Sequence, residues 1–389
     1  MTDRTSTAAT SDTAANAPTA ATAATFITGA CGFVGLALSE YLLARGDTVI
    51  GFDRQPPPPA ARATFDALPG RFVMIEGDVC DADAVLDAMR KHLPQRVVTL
   101  AAITADAARE RRTPAAIFAV NVGGVLNTIS AAAACGVHRI VHASSGSVYG
   151  ASGKQTAPLD EVDTPLLPEG LYGMSKAAAE SAALRLAKLQ GLDLVVGRLG
   201  TCFGPWETDQ RTDQRTDQRT DQRTDQRRIA KTDGVVAMPG SRDTPSAPLQ
   251  VLHYLDEPEG AIAVLPRPSR RDWLYVRDAA AALAALLDTP ALPSPIYNLS
   301  TGFIWSMQAW CAAVQARHPS LRWEMLSSAD ANAKSPTPNI DLYGSYDRAP
   351  LNIDRLLADT DFVPRFDLTA AASDFLDWHA RAGMPDIDR

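Results

Sequence analysis

Tyr172 and Lys176 stand four residues apart in L-Y-G-M-S-K. On a helix that spacing puts both side chains on one face. A tyrosine of pKa about 10 is a poor base at neutral pH. A neighbouring ammonium favours the phenolate, and so does the positive ring of an oxidised nicotinamide. Such a pair can take a proton from a secondary alcohol while hydride leaves the carbon, or return it in the reverse direction. Ser145, at the end of a predicted strand, is placed to hydrogen-bond the same oxygen. Lys176 would also hold nicotinamide ribose hydroxyls. The spacing alone also fits an ordinary surface Tyr and Lys, so the chemistry requires a hydride acceptor nearby.

A site for one is written near the start of the chain. Gly29-Ala30-Cys31-Gly32-Phe33-Val34-Gly35 lies between a predicted strand and a predicted helix. Gly29 permits the tight turn, Gly32 lets backbone N–H groups approach a pyrophosphate, and Gly35 allows close helix packing. The helix opened by Phe33 and Val34 offers free N–H donors and positive potential to the phosphates. Asp53 closes the second predicted strand, where a carboxylate accepts from adenosine ribose hydroxyls and repels a 2′-phosphate. That favours NAD. Arg54, able to stack on adenine or to hold a 2′-phosphate, keeps NADP as the alternative. Asp53 as a plain turn residue is the bland reading. Asp78 is positioned for the adenine amino group, with Val79 against the ring, or else Asp78 caps the following helix. Leu100, Ala101 and Ala102 end the fourth strand in residues small enough to bring backbone close to the cofactor.

These residues need a scaffold. Short apolar runs at 25–28, 48–52, 72–75, 97–101, 139–143 and 192–199 read as strands. Periodic runs at 34–43, 82–90, 117–135 and 171–189 read as helices between them, with Gly46 and Gly136 as stops. The prolines at 56–59 read as a surface loop. The alternation implies a parallel sheet covered on both faces. Right-handed crossovers make it a Rossmann-type, doubly wound α/β fold. Residues 25–200 are predicted to form the dinucleotide domain, with a return near 273–300 through a strand at 273–276, a helix at 278–287 and a strand at 296–299. Residues 201–272 and 301–389 are predicted to form a smaller substrate lobe. It would hold an amphipathic stretch at 248–255, a helix at 306–317, a strand at 321–325 and a helix at 368–380.

Two stretches have no core to join. Residues 1–24 are mostly Ala, Thr and Ser and read as a disordered tail. Residues 208–227 repeat Thr-Asp-Gln-Arg five times. Stacked like charges at i,i+4 disfavour a helix, so this segment reads as a solvated loop without function. A cover over the strand ends is the alternative.

Bulk properties narrow the rest. A net charge of −8 argues against a nucleic-acid partner. Five scattered cysteines show no zinc-ligand spacing, so no metal is expected, and they suit reduced thiols in the cytoplasm. No apolar run is read as a membrane span or secretory signal.

The chain resembles the extended short-chain dehydrogenase/reductases, the NAD-dependent epimerase/dehydratase group. The resemblance rests on T-G-A-C-G-F-V-G at 28–35, A-S-S-G-S-V-Y-G at 143–150, L-Y-G-M-S-K at 171–176, R-L-G-T-C-F-G-P at 198–205 and R-D-W-L-Y-V-R-D at 271–278. It implies Ser145, Tyr172 and Lys176 as the catalytic set, with Ser144 beside the substrate. It implies Asn121 near the nicotinamide ribose, and Arg271 and Arg348 on a substrate diphosphate. Ser145-Gly146-Ser147 replaces the Asp-Glu pair of dehydratases. Gly200-Thr201-Cys202 lacks the Asn-Pro usual in nucleotide-sugar epimerases. Three functions therefore compete: a nucleotide-sugar epimerase, expected first; a net dehydrogenase or reductase of a sugar, sugar acid or other alcohol; and a non-catalytic binding protein. A homodimer is expected by analogy, across alanine-rich helices.

Overall fold

Alternating Val, Ile and Phe along each short strand give it two apolar faces, which suits a central position in a sheet. In the computed structural model, which describes residues 23–207, 245–258, 260–326, 337–342 and 346–382, seven strands form that sheet. Their order is Arg71–Glu76, Thr48–Asp53, Ala24–Thr28, Arg96–Thr99, Arg139–Ser145, Leu194–Leu199, Ile296–Leu299, and every pairing is parallel. Phe26 lies opposite Ile50 and Val97, which fixes the register of the central three. The tail (apart from residues 23 and 24) and the tetrapeptide repeat lie outside the described residues.

The two faces bury different helices. Phe26, Ile50, Val97, Ile140 and Val196 pack with side chains of Ala82–His92, Val125–Ala134 and Leu171–Gln190. Ile27, Val49, Val98, Val141 and Val195 pack with those of Phe33–Ala44 and Val276–Asp288. The chain leaves Ala24–Thr28 in one direction across the sheet and returns to its other side at Arg96–Thr99. That reversal opens a crevice beyond the carboxyl ends of the strands.

Three local readings need correction. Pro56, Pro57 and Pro58 form a loop as expected, but Pro59 opens the helix Pro59–Asp66 as its first residue, where a missing N–H costs nothing. The long helix at 117–135 is broken into Pro114–Phe118, a π-helical segment Ala119–Gly124, and Val125–Ala134. Pro114–Ala134 is also long and apolar enough, at 21 residues and a mean hydropathy of 1.5, to cross a membrane by those measures alone. Here its Val125–Ala134 part is a sheet-covering helix whose Val125, Ile129 and Ala132 are buried in the layer.

The smaller C-terminal lobe is built around aromatic rings. Phe203 sits with its ring centroid 5.2–6.3 Å from those of Trp273, Tyr275, Trp305, Trp310 and Phe375. Pairs of two- or three-residue strands frame it, among them Thr201–Phe203 with Trp273–Tyr275 and Arg270–Arg271 with Trp305–Ser306. Helices Ala247–His253, Met307–Arg317 and Leu368–Ala382 surround them. Arg277 bonds both Glu40 and Asp374, tying the Phe33–Ala44 helix to the Leu368–Ala382 helix.

Candidate active site

A cleft of about 480 Å³ opens at the carboxyl ends of the strands. Its first wall is the glycine turn. Gly29 has φ +71, a left-handed conformation that glycine adopts at no steric cost, and a Cβ there would lie 2.6 Å from the Ala101 nitrogen. Gly35 approaches the turn itself: a Cβ would lie 2.2 Å from the Gly29 carbonyl oxygen. The Phe33–Ala44 helix starts after Gly32 with no side-chain cap, so its first N–H groups have no side-chain acceptor. Asp53 stands beside them and accepts from the Cys31 N–H at 3.0 Å. Gly29, Gly32, Phe33, Val34, Gly35, Asp53, Leu100 and Ala102 all line this wall, and Ala101 lies against Gly29.

At the middle of the cleft, Ser145, Tyr172 and Lys176 come together. The Ser145 hydroxyl lies beside the Tyr172 phenol and favours its ionised form. The Ser145 oxygen also receives the Ser147 N–H at 3.1 Å, which fixes it at the start of the Gly146–Tyr149 turn. Lys176 donates to the Ala143 carbonyl at 2.6 Å. The expected lowering of the tyrosine pKa is not what this arrangement does. Burial pushes Tyr172 up to about 12, against a smaller pull from the neighbouring Ser145 hydroxyl. Burial also pushes Lys176 down to about 8, opposed by the charge of Glu180. With the ammonium bonded to a backbone carbonyl, the lysine does not supply the bias toward phenolate by itself.

Several expected contacts are not brought to the cleft lining. Asn121 is fully buried at the π-helical segment, where it accepts from the Ile103 N–H at 2.7 Å and donates to the Ile103 carbonyl and Ser175. Its amide anchors a loop. Ser144 does line the cleft, but its hydroxyl donates to Glu180 at 3.0 Å, turned into the protein. Asp78 accepts from the Cys80 N–H two residues on; the cap of the next helix is Asp81, which accepts from Asp83 and Ala84. Val79 is buried against Gly124, and Arg54 is exposed away from the lining. Arg271 is 4% exposed, lies over the Trp273 ring and donates to the Leu342 carbonyl. Arg348 does reach the cleft, donating to the Gly146 carbonyl beside Ser145.

The opposite wall holds residues that spacing did not single out: Cys202, Trp206, Glu207, Ser246, Asp272 and Leu351. Burial pushes the Cys202 thiol up to about 12, so it is neutral. Glu207 accepts from both the N–H and the hydroxyl of Ser246. Asp272 accepts from Ser300 and the Leu351 N–H. The R-L-G-T-C-F-G-P motif at 198–205 contains Cys202 and ends just before Trp206, and R-D-W-L-Y-V-R-D at 271–278 contains Asp272; neither was read as marking these residues for the site.

The parallel sheet and glycine turn define a dinucleotide-binding α/β fold of Rossmann type. The model of the NAD dependent epimerase/dehydratase family matches residues 25–300, and the chain belongs to that family. It is 34% identical to UDP-glucuronate 4-epimerase 3 of Arabidopsis thaliana over 184 residues, 46% of this chain and 42% of that one. It is 32% identical to UDP-glucose 4-epimerase of Mycolicibacterium smegmatis over 178 residues, 46% of this chain and 55% of that one. The chain thus matches less than half the length of the plant relative. The fold is also that of UDP-glucose 4-epimerase from Bifidobacterium longum in complex with NAD+ and UDP, with a TM-score of 0.68 at 17% identity, covering 92% of this chain and 98% of that one.

Proposed function

We propose that this protein is an NAD-dependent nucleotide-sugar epimerase. The observation that carries the reading is the convergence of Ser145, Tyr172 and Lys176 in one cleft with the glycine turn and Asp53. That wall fits NAD: uncapped helix N–H groups suit the pyrophosphate, and the Asp53 carboxylate suits an unphosphorylated ribose. Arg54, exposed off the lining, does not favour the 2′-phosphate of NADP.

Bound NAD supplies a reversible hydride acceptor and a positive ring. Tyr172, as phenolate, takes the proton of the substrate hydroxyl. Ser145 donates a hydrogen bond to the same oxygen and holds it in line. Lys176, now on the Ala143 carbonyl, would hold the ribose hydroxyls of bound NAD and add its charge beside the phenol. Once the keto-sugar has turned its other face to the cofactor, Tyr172 would return the proton to the same oxygen. Arg348 is the cation for the substrate diphosphate.

The similarity to UDP-sugar 4-epimerases supports this substrate class. A net dehydrogenase of a sugar or other alcohol is the second reading, and Cys202 favours it: a half-buried neutral thiol stands in the Gly200-Thr201-Cys202 stretch, which lacks the asparagine usual in nucleotide-sugar epimerases. Incubation with UDP-glucuronate and with UDP-glucose decides between them. Carbon-4 epimers by NMR, with no NADH accumulating, are expected. NADH formed in proportion to product, or turnover of an unphosphorylated alcohol alone, overturns the epimerase.

The assembly proposed is a homodimer through Pro114–Ala134 and Leu171–Gln190, whose Phe118 and Met174 are exposed apolar side chains. A monomer mass in sedimentation would overturn that. The free thiols fit the reducing cytoplasm as its compartment.

A further inference from the structure

Beneath the proposed catalytic residues lies a buried polar network that the reaction as described does not use. Glu180 is 3% exposed and Arg198 2% exposed. Arg198 holds Glu180 with two nitrogens, its Nε at 3.1 Å from Oε2 and a second nitrogen on Oε1. Ser144 donates to Oε2 at 3.0 Å. The remaining side of Arg198 donates to the Tyr149 hydroxyl at 2.9 Å and the Glu161 carbonyl at 3.2 Å. The Tyr149 hydroxyl passes a hydrogen bond to Asn298 at 2.8 Å. Burying an ion pair seldom adds net stability, because desolvation offsets the attraction; a role in fixing one geometry is the better-attested use.

The geometry here shows what would be fixed. Tyr172, Lys176 and Glu180 are spaced by four on the Leu171–Gln190 helix and share a face. Each meets one of three consecutive residues on the Arg139–Ser145 strand. Tyr172 stands beside Ser145, Lys176 donates to the Ala143 carbonyl, and Glu180 accepts from the Ser144 hydroxyl. Arg198, on the neighbouring Leu194–Leu199 strand, locks the third of these contacts from the other side.

We propose that Glu180 is a positioning residue: clamped by Arg198 and Ser144, it holds the helix in register with the strand and presents its carboxylate one turn from Lys176. The inference rests on the epimerase reading for its catalytic meaning, though not for its geometry. The charged and titratable groups around Lys176 are Tyr172 and Glu180 on its own helix, His142 on the strand, and Arg198 beyond Glu180. His142 is buried, bonded to Thr99 at 2.7 Å, and held neutral by burial and by the Lys176 charge. Glu180 is therefore the anion that opposes the loss of the Lys176 proton.

The test reads Lys176 directly in the ligand-free protein. Competitive acetylation of Lys176 with acetic anhydride is followed against pH by peptide mass spectrometry, which needs no substrate. In Glu180→Gln the labelling midpoint falls by about one pH unit, the scale of a lost opposite charge. The alkaline limb of the kcat profile moves with it, while KM stays within about twofold of wild type. Should that variant not fold, Glu180→Gln/Arg198→Met removes both buried charges, and its midpoint falls in the same direction by less. Glu180→Asp, which keeps the charge, restores the wild-type midpoint. A folded Glu180→Gln or Glu180→Gln/Arg198→Met protein that labels as wild type does overturns the proposal. Failure of every nucleotide sugar as a substrate, with the labelling shift present, overturns the epimerase reading and leaves the Glu180 assignment standing.

Discussion

The two walls of the cleft are made of different material. The first is backbone and one carboxylate: Gly29, Gly32, the opening turn of the Phe33–Ala44 helix and Asp53, contiguous over one strand–turn–helix–strand unit. The second is side chains, Cys202, Trp206, Ser246, Asp272 and Arg348, drawn from distant stretches; only Cys202 sits on a strand, the three-residue Thr201–Phe203, and the others lie in the turns and loops around it. Backbone donors suit a ligand whose phosphates vary little. Side chains suit one whose substituents must be told apart. Changes on the first wall should therefore act through conformation, and changes on the second through chemistry.

The largest effect is expected where the walls meet. Tyr172→Phe removes one oxygen and keeps the ring that fills the site. The turnover number should fall on the order of 10³-fold, within the range of general acid–base contributions. Retained NAD, measured by mass spectrometry of the purified protein, should not change. A variant within tenfold of wild-type activity would sink the assignment of Tyr172.

Titration ranks next. Lys176 is held down at about 8 in the folded protein, against an ordinary value of 10.5. Between those two values the unfolded chain binds a proton that the folded one has released. Stability of the ligand-free protein then rises with pH across that window, and falls as pH drops through about 8. The full span is on the order of 3 kcal/mol. Tyr172 has the opposite sign: its value is raised from 10 to about 12, so stability is lost as pH climbs over that range. Urea midpoints at about pH 7.5 and about pH 9.5 should rise for wild type and stay level for Lys176→Met. Parallel curves would show that Lys176 is not the group concerned.

Gly35→Ala tests the backbone wall. Alanine in a helix is ordinarily favoured over glycine by about 1 kcal/mol. Here the new Cβ would sit 2.2 Å from the Gly29 carbonyl oxygen, and backbone cannot swing aside as a flexible side chain does. The clash reverses the sign. We expect a loss of about 2 kcal/mol in stability, together with lost NAD retention. A variant as stable as wild type that still carries NAD would mean the turn relaxes freely.

The same contrast explains what could be read from the sequence. The first wall was legible because its signals are local: a strand pattern, three glycines at set spacing, and an acid one strand later. Ser145, Tyr172 and Lys176 followed from an i,i+4 pair and a strand end, and they meet in the structure. Asn121 was expected near the nicotinamide ribose from the resemblance; neither that nor a helical period shows the π-helical segment or the turn of the buried amide onto Ile103 and Ser175. Arg271 matched a motif, yet its guanidinium lies over Trp273, a partner fixed by lobe packing. Cys202, Trp206 and Asp272 were not found as site residues, since a three-residue strand and the turns beside it carry no period and their neighbours are remote in sequence.

Arg348→Ala gives the smallest effect and the finest distinction. Arg348 touches both halves of the problem: it lines the substrate wall and donates to the Gly146 carbonyl, one residue from Ser145. If its work is to meet the diphosphate, its loss removes binding felt equally by substrate and transition state. KM for the nucleotide sugar then rises about tenfold while kcat stays within about threefold. If its work is instead to brace the turn that carries Ser145, kcat falls and KM holds. We expect the first pattern, because the Ser147 N–H already secures the Ser145 oxygen at 3.1 Å without help from the arginine. NAD retention should be unchanged in either case, since the residues fitted to NAD lie on the opposite wall. A drop in NAD retention would show that the two walls are not independent.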